Sequence, residues 1–307
     1  MQQIENYISY LSGVRRYSER TVRIYRECLE EFEDFGGEDL SVSLTPAGVR
    51  GYEIHLIDER RLGPATVSLH LSVLSGFSAY LIRAGLLSSN PVRLVKRPRQ
   101  PKRLPTFYRE SSMKEYFRTR SAALEFGDYP DALRYMTVSL LYSTGLRRAE
   151  VISLNRSSID KGRKVLRVIG KGDKMREIPL TDAALAELDL FRAAADRTFP
   201  DVAAEEDVPL LLTPSGERLY PMFVDRVIKK ELGGVDGITV RKSPHVLRHT
   251  IASELLDSGA DLNSIKELLG HSSLAATQIY THSTIEKLKK VYADAHPRAH
   301  RDDSGED

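Results

Sequence analysis

The chain has 307 residues, with 45 Lys and Arg against 43 Asp and Glu, 41% apolar residues and one cysteine. That length suits two domains, and the composition is that of a globular protein with enough apolar residues for two cores. It excludes a membrane span of roughly 18 uninterrupted apolar residues and a basic-then-apolar secretory start, while the lone Cys28 cannot form an internal disulfide and fits a reducing cytosol.

Net charge is only +2, but its distribution is uneven. Residues 27–39 hold Glu27, Glu30, Glu31, Glu33, Asp34, Glu38 and Asp39 with no base. Residues 93–103 hold Arg93, Lys96, Arg97, Arg99, Lys102 and Arg103 with no acid. Residues 147–176 carry ten bases against Glu150, Asp160 and Asp173. A nearly neutral chain with segregated charge can still present a basic surface to a polyanion.

Residues 1–95 predict a bundle of four helices. "YISYLSG" closes on Gly13, a C-terminal stop. "SERTVRIYRECLEEFEDFGG" opens on Ser18 as N-cap, places Val22, Tyr25, Leu29 and Phe32 at helical spacing, and stops at Gly36-Gly37. "TPAGVRGYEIHLIDERRLG" and "GPATVSLHLSVLSGFSAYLIRAG" each open on a Thr or Pro start signal and end near Gly. The segment "NPVRLVKRPRQPKRLP" has four prolines and six bases. It reads as an extended cationic linker, assigned to residues 96–106, able to lie along a phosphate backbone.

Residues 107–297 predict a second, mostly helical domain with a small antiparallel sheet, followed by an acidic disordered tail, 298–307. "DALRYMTVSLLYSTGLRRAEVISLN" is a helix, a break at Thr144-Gly145, and a short helix starting near Arg147. "KVLRVIGKGDKMREIPL" is a β-hairpin with Lys171 at its tip. "SPHVLRHTIASELLDSG" has Ser243 as N-cap, Pro244 at N1 and Gly259 at its end. "DLNSIKELLG" and "SSLAATQIYTHS" give two further helices.

His245 and Arg248 share a face near a helix N-terminus, which suits an anion. Leu247, Ile251 and Leu255 lie on another face and serve the core. His245 and His249 also stand at a metal-ligand spacing of four. Against a metal stand the fixed charge of Arg248, the absence of a carboxylate between the histidines, and the absence of a cysteine cluster. A helix-turn-helix over residues 245–269 is the non-enzymatic alternative. Taken singly, Arg147, Lys171 and His271 each read as a surface base, a turn lysine and a capping histidine.

The series "TGLRRAE", "GKGDKMREIPL", "HVLRHT", "LLGHSS" and "TQIYTH" runs in this order. It resembles the tyrosine recombinase and integrase family, most closely its Xer-type members. "SERTVRIYRECLEEFEDF", "PATVSLHLSVLSGFSAYLIRAGLLSSNPV" and the closing "HPRA" extend the resemblance to nearly the whole chain. It implies a mainly α fold: an N-terminal SAM-like core-binding bundle and a mixed catalytic domain. It further implies Arg147 and Arg248 as the arginine pair on a scissile phosphate, Lys171 as the hairpin lysine, His245 and His271 at the two histidine positions, and Tyr280 as nucleophile. Glu150, in "RxxE", reads as structural; Arg148 lies about 100° round the helix and is left out.

This set suits metal-free transesterification of DNA. Phosphodiester attack adds negative charge, and arginines supply fixed, paired donors worth roughly 3–4 kcal/mol each in related chemistries. Tyrosine's phenol, with a pKa of about 10, is favoured as phenolate beside arginines, and His245 can receive its proton. Tyr280 then forms a 3′-phosphotyrosyl link, His271 donates to the phosphate, and Lys171 protonates the leaving 5′ oxygen. The covalent link conserves the bond energy, so neither ATP nor any cofactor is implied.

Double-stranded DNA is the implied partner, bound by a homo- or hetero-tetramer with cyclic C-terminal contacts. The helix "STIEKLKKVYADA" either docks on a neighbour or packs on its own domain. Xer resemblance implies a cytoplasmic, nucleoid-associated enzyme of chromosome dimer resolution, switched on by a septal DNA translocase. A mobile-element integrase with the same body is the alternative within the family, and type IB topoisomerases share the chemistry.

Overall fold

In the computed structural model, which describes residues 2–37, 43–99, 107–170, 174–203, 207–238 and 241–270, helix boundaries follow local capping. Ser18 accepts from the Thr21 amide at 3.3 Å and starts α2 (Glu19–Gly36), which ends where Gly37 turns to φ 79°. Thr45 accepts from the Gly48 amide at 3.1 Å and starts α3 (Pro46–Asp58). Pro64 begins α4 (Pro64–Arg83), closed by Gly85 at φ 72°.

The first helix departs from expectation. α1 (Gln2–Ser9) runs into a π-helical turn, Tyr10–Val14, so Gly13 lies inside the helical run instead of ending it. The widened turn is closed by the Arg15 amide on the Tyr10 carbonyl at 3.0 Å and buries Leu11.

The chain divides into two compact units, Met1–Arg103 and Leu104–Asp307. In the first, Phe32, Tyr52, Leu56, Leu71 and Phe77 are fully buried. Tyr7 packs on Phe77 with ring centres 5.3 Å apart, and Phe32 meets Tyr52 edge-on at 4.9 Å. α4 is long and apolar enough to cross a membrane by length and composition alone. Its Val67, Leu71, Val73 and Leu74 are fully buried in this unit, as in a core helix. The proline-rich segment does not begin as a free strap. Asn90 donates to the Ser75 carbonyl at 3.0 Å, Pro91–Leu94 forms a 3-10 turn, and Val92 and Val95 join the core. Arg97 donates to Ser72 at 2.9 Å.

The second unit is built around α6 (Tyr129–Thr144), buried along its whole length except at Pro130, Asp131 and Arg134. α5 (Glu110–Arg120) precedes it and α7 (Arg148–Ser153) follows. The expected hairpin, β2 (Val165–Ile169) and β3 (Met175–Pro179), gains a third antiparallel strand, β1 (Ile159–Asp160), on β2. A two-residue strand carries no readable alternation. Then come α8 (Asp182–Thr198), a short α9 (Pro200–Ala203), α10 (Pro221–Glu231), α11 (Pro244–Asp257) and α12 (Leu262–Leu269). α8, α10 and α11 pack on α6.

Buried Glu187 of α8 accepts from the Tyr135 and Ser139 hydroxyls, each at 2.8 Å. The fold is mainly α with a small antiparallel sheet. Residues 271–307, with the expected Tyr280 helix, the C-terminal helix and the acidic tail, lie outside the described residues.

Candidate active site

α6 stops at Thr144 because Gly145 turns left-handed at φ 60°. A Cβ there would lie 2.5 Å from Leu269 and 3.2 Å from Ile251, so glycine alone lets α11 and α12 close on this turn. The turn delivers Arg147 as the residue before α7, and Glu150 caps that helix start. Glu150 accepts from the Arg147 amide at 2.7 Å and from Arg147 Nη1 at 2.8 Å.

α11 supplies the second arginine. Leu247, Ile251 and Leu255 face the core as their spacing predicted. Arg248 is buried, donating from Nη1 to the Gly145 carbonyl at 2.7 Å and from Nη2 to the Leu269 carbonyl. Ser243 has the extended backbone of an N-cap but makes no side-chain cap; its amide donates to the Tyr108 hydroxyl at 3.1 Å. His245, one turn before Arg248, is exposed. Desolvation lowers the His245 pKa first, and Arg148, His249 and Arg248 lower it further against Asp225, which favours the neutral ring a general base needs.

α12 ends at Gly270, left-handed at φ 66°. Three successive carbonyls at this end each receive an arginine: Leu268 from Arg176 Nε at 2.8 Å, Leu269 from Arg248, and Gly270 from Arg147 Nη2 at 2.6 Å. Terminal helix carbonyls lack intrahelical partners and carry partial negative charge, so cations suit them. The fold therefore brings Arg147 and Arg248 to adjacent residues of one helix end. Among the described residues Arg147 donates one bond from each terminal nitrogen. With its side chain 33% exposed, donors remain for an anion.

Lys171, His271 and Tyr280 lie outside the described residues. In sequence, Lys171 follows Gly170, His271 follows Gly270, and Tyr280 comes nine residues later. Among the described residues no three His, Cys, Asp or Glu side chains group as a metal site.

Sequence reasoning missed Arg176. Its guanidinium forks onto both Glu150 oxygens at 2.9 and 2.8 Å, and the two side chains are 9% and 5% exposed. Burial alone would raise the Glu150 carboxyl; hydrogen bonds from Arg176 and Arg147 outweigh it and hold the group below the usual carboxylate range. A signal existed in "MREIP". Strand alternation places Arg176 on the same face as fully buried Ile178, and a core-facing arginine requires a partner.

The chain matches the phage integrase family model over residues 118–287, and the SAM-like N-terminal domain of phage integrases over residues 4–85. It is 37% identical to the tyrosine recombinase XerC of Bacillus licheniformis, with 96% of each chain covered. It is 34% identical to the tyrosine recombinase XerC of Chlorobaculum parvum, covering 96% of this chain and 94% of that one. A lambda integrase tetramer bound to a Holliday junction shares the fold, with a TM-score of 0.63 at 20% identity over 91% of this chain and 79% of that one. Two family models in the expected order and full-length relatives above 30% identity establish that the chain belongs to the phage integrase family of tyrosine recombinases, among its Xer-type members.

Proposed function

We propose that this tyrosine recombinase resolves chromosome dimers by cutting and rejoining duplex DNA at a specific site. The observation that carries the reading is the pair Arg147 and Arg248, held on neighbouring carbonyls of one helix end inside the span of the integrase model. The similarity to XerC proteins over nearly the full chain supports the Xer role.

In this reading Arg147 and Arg248 hold the two non-bridging oxygens of the scissile phosphate. His245, kept neutral by its surroundings, accepts the Tyr280 proton. The Tyr280 oxygen attacks phosphorus, the bond to the 5′ oxygen breaks, and Lys171 supplies that oxygen's proton. His271 donates to the phosphate. Reversal of the same steps on a partner's 5′-hydroxyl rejoins the strands, and the phosphotyrosyl link carries the bond energy throughout. Cutting two duplexes takes four subunits, and the tetrameric lambda integrase is consistent with that assembly. The place of action is the cytoplasmic nucleoid, with a septal DNA translocase as activator. The domain limits of the reading are 1–95 and 107–297, joined by the basic segment 96–106.

The test incubates purified protein with nicked suicide duplexes drawn from the replication-terminus region of the host. An SDS-resistant protein–DNA adduct is expected, absent in Tyr280→Phe. Adduct formation by Tyr280→Phe, or binding without adduct on every duplex, overturns the reading.

A further inference from the structure

We propose that Arg176 is a positioning residue for Arg147, acting through the Glu150 carboxylate and the end of α12. The proposal rests on the recombinase reading of this site. Arg176 is the second residue of β3, paired with Val168 of β2. It directs Nη1 and Nη2 to Glu150 and Nε to the Leu268 carbonyl. The same two Glu150 oxygens take the Arg147 side chain and amide. Arg147 then returns to the helix end at Gly270, two residues from Leu268.

These bonds form a closed ring: Arg176, Glu150, Arg147, the Gly270 carbonyl, the last turn of α12, and Arg176 again. A guanidinium fixed at both ends by charge-assisted bonds loses the rotamers a solvent-exposed arginine keeps. The ring is also tightly packed. A Cβ on Gly270 would lie 3.1 Å from Arg176 Nη1 and 3.4 Å from Arg147 Nη1. A Cβ on Gly170 would lie 3.4 Å from Arg176 Nη1 and 3.6 Å from Glu150 Oε1. Two glycines thus pass Arg176, one just before Lys171 and one just before His271 in sequence.

A buried ion pair contributes little net stability compared with apolar residues of the same volume. Its consequence here is directional: the exposed third of Arg147 points one way because its neighbours are fixed. Arg176 itself touches neither substrate nor reacting atoms in this reading.

The experiment uses the full chain and a nicked suicide duplex on which the wild type forms its adduct. The duplex is made in two forms, one with the ordinary scissile phosphodiester and one with a methylphosphonate there, which lacks the negative charge that Arg147 would meet. Arg176→Lys and Arg176→Met are expected to bind both duplexes as the wild type does. Single-turnover cleavage of the phosphodiester should fall about 10- to 100-fold, the scale of a misplaced reacting group. On the methylphosphonate the loss relative to wild type should largely disappear, as it should for Arg147→Ala. Adding Arg176→Met to Arg147→Ala should cost little more than Arg147→Ala alone. The proposal is overturned if natively folded Arg176→Lys cleaves the phosphodiester at the wild-type rate, if the loss is equal on the two linkages, or if both variants lose native circular dichroism and DNA binding together. If the wild type forms no adduct, or Tyr280→Phe still does, the recombinase reading falls and takes this proposal with it; the other outcomes arise only where the wild-type adduct is present.

Discussion

Arg147 donates to the carbonyl of Gly270 at 2.6 Å, across 123 residues of sequence. The contact joins the start of α7 to the end of α12, and it depends on Gly270 being left-handed. Any other residue there meets both a strained backbone and two guanidinium groups that are already bonded on their far sides.

Gly270→Ala is therefore expected to lower stability by about 1–2 kcal/mol through the left-handed backbone. Cleavage should fall further than that loss explains, because Arg147 and Arg176 must shift. Urea unfolding and single-turnover adduct formation measure the two effects; a variant with wild-type cleavage would show that this helix end does not set the arginines.

The two arginines should separate activity from stability. Arg147 is one-third exposed, whereas Arg248 is buried and satisfies the Gly145 and Leu269 carbonyls. Arg147→Ala should cut cleavage by about 100- to 1000-fold with little change in unfolding free energy. Arg248→Ala should cut cleavage and also destabilise the fold by a few kcal/mol, about 1–3 kcal/mol for each buried carbonyl left unpaired. Equal destabilisation by the two variants would contradict this division.

Cleavage should have an acid limb set by His245. The groups facing His245 are Arg148, His249 and Arg248, which depress its pKa, and Asp225, which raises it; Arg148 is ion-paired to Asp225. Removing a cation favours the imidazolium, so Arg148→Ala should raise the His245 pKa. The acid limb of the pH–rate profile then moves to higher pH. A shift to lower pH, or none, would remove His245 as the base or Arg148 as its neighbour.

Glu254 of α11 should make the fold pH-sensitive. It takes the Tyr142 hydroxyl at 2.6 Å, and its Oε1 is buried with no hydrogen-bond partner among the described residues. Burial pushes its pKa up from 4.5 to about 7; Glu110 and Asp257 add to the rise, and Tyr142 and Lys114 oppose it. Between those values the folded chain keeps a proton that the unfolded chain has released. The stabilisation is complete below 4.5 and lost as pH rises through about 7. Glu254→Gln, neutral at every pH, should be more stable than wild type at about pH 8, by on the order of 3 kcal/mol, and equal to it at about pH 4. Denaturation series at both pH values test this, and a pH-independent difference would refute it.

Much of this protein was legible because helix punctuation is local. Ser18 and Thr45 cap from three residues away, Pro64 presets φ, and Gly145 and Gly270 stop helices where a left-handed residue is needed. The ordered motifs likewise named the family, since identity and order survive without coordinates. Tertiary structure alone decided what surrounds the arginines. Arg176 meets Glu150 across 26 residues and Leu268 across 92, and no periodicity within one element encodes such a meeting. β1 was hidden because two residues cannot show alternation, and the turn at Pro91–Leu94 was hidden because Val92 and Val95 bury against a core assembled from other helices. Burial and long-range pairing depend on which faces the finished fold brings together, and a linear pattern holds only one side of each such contact.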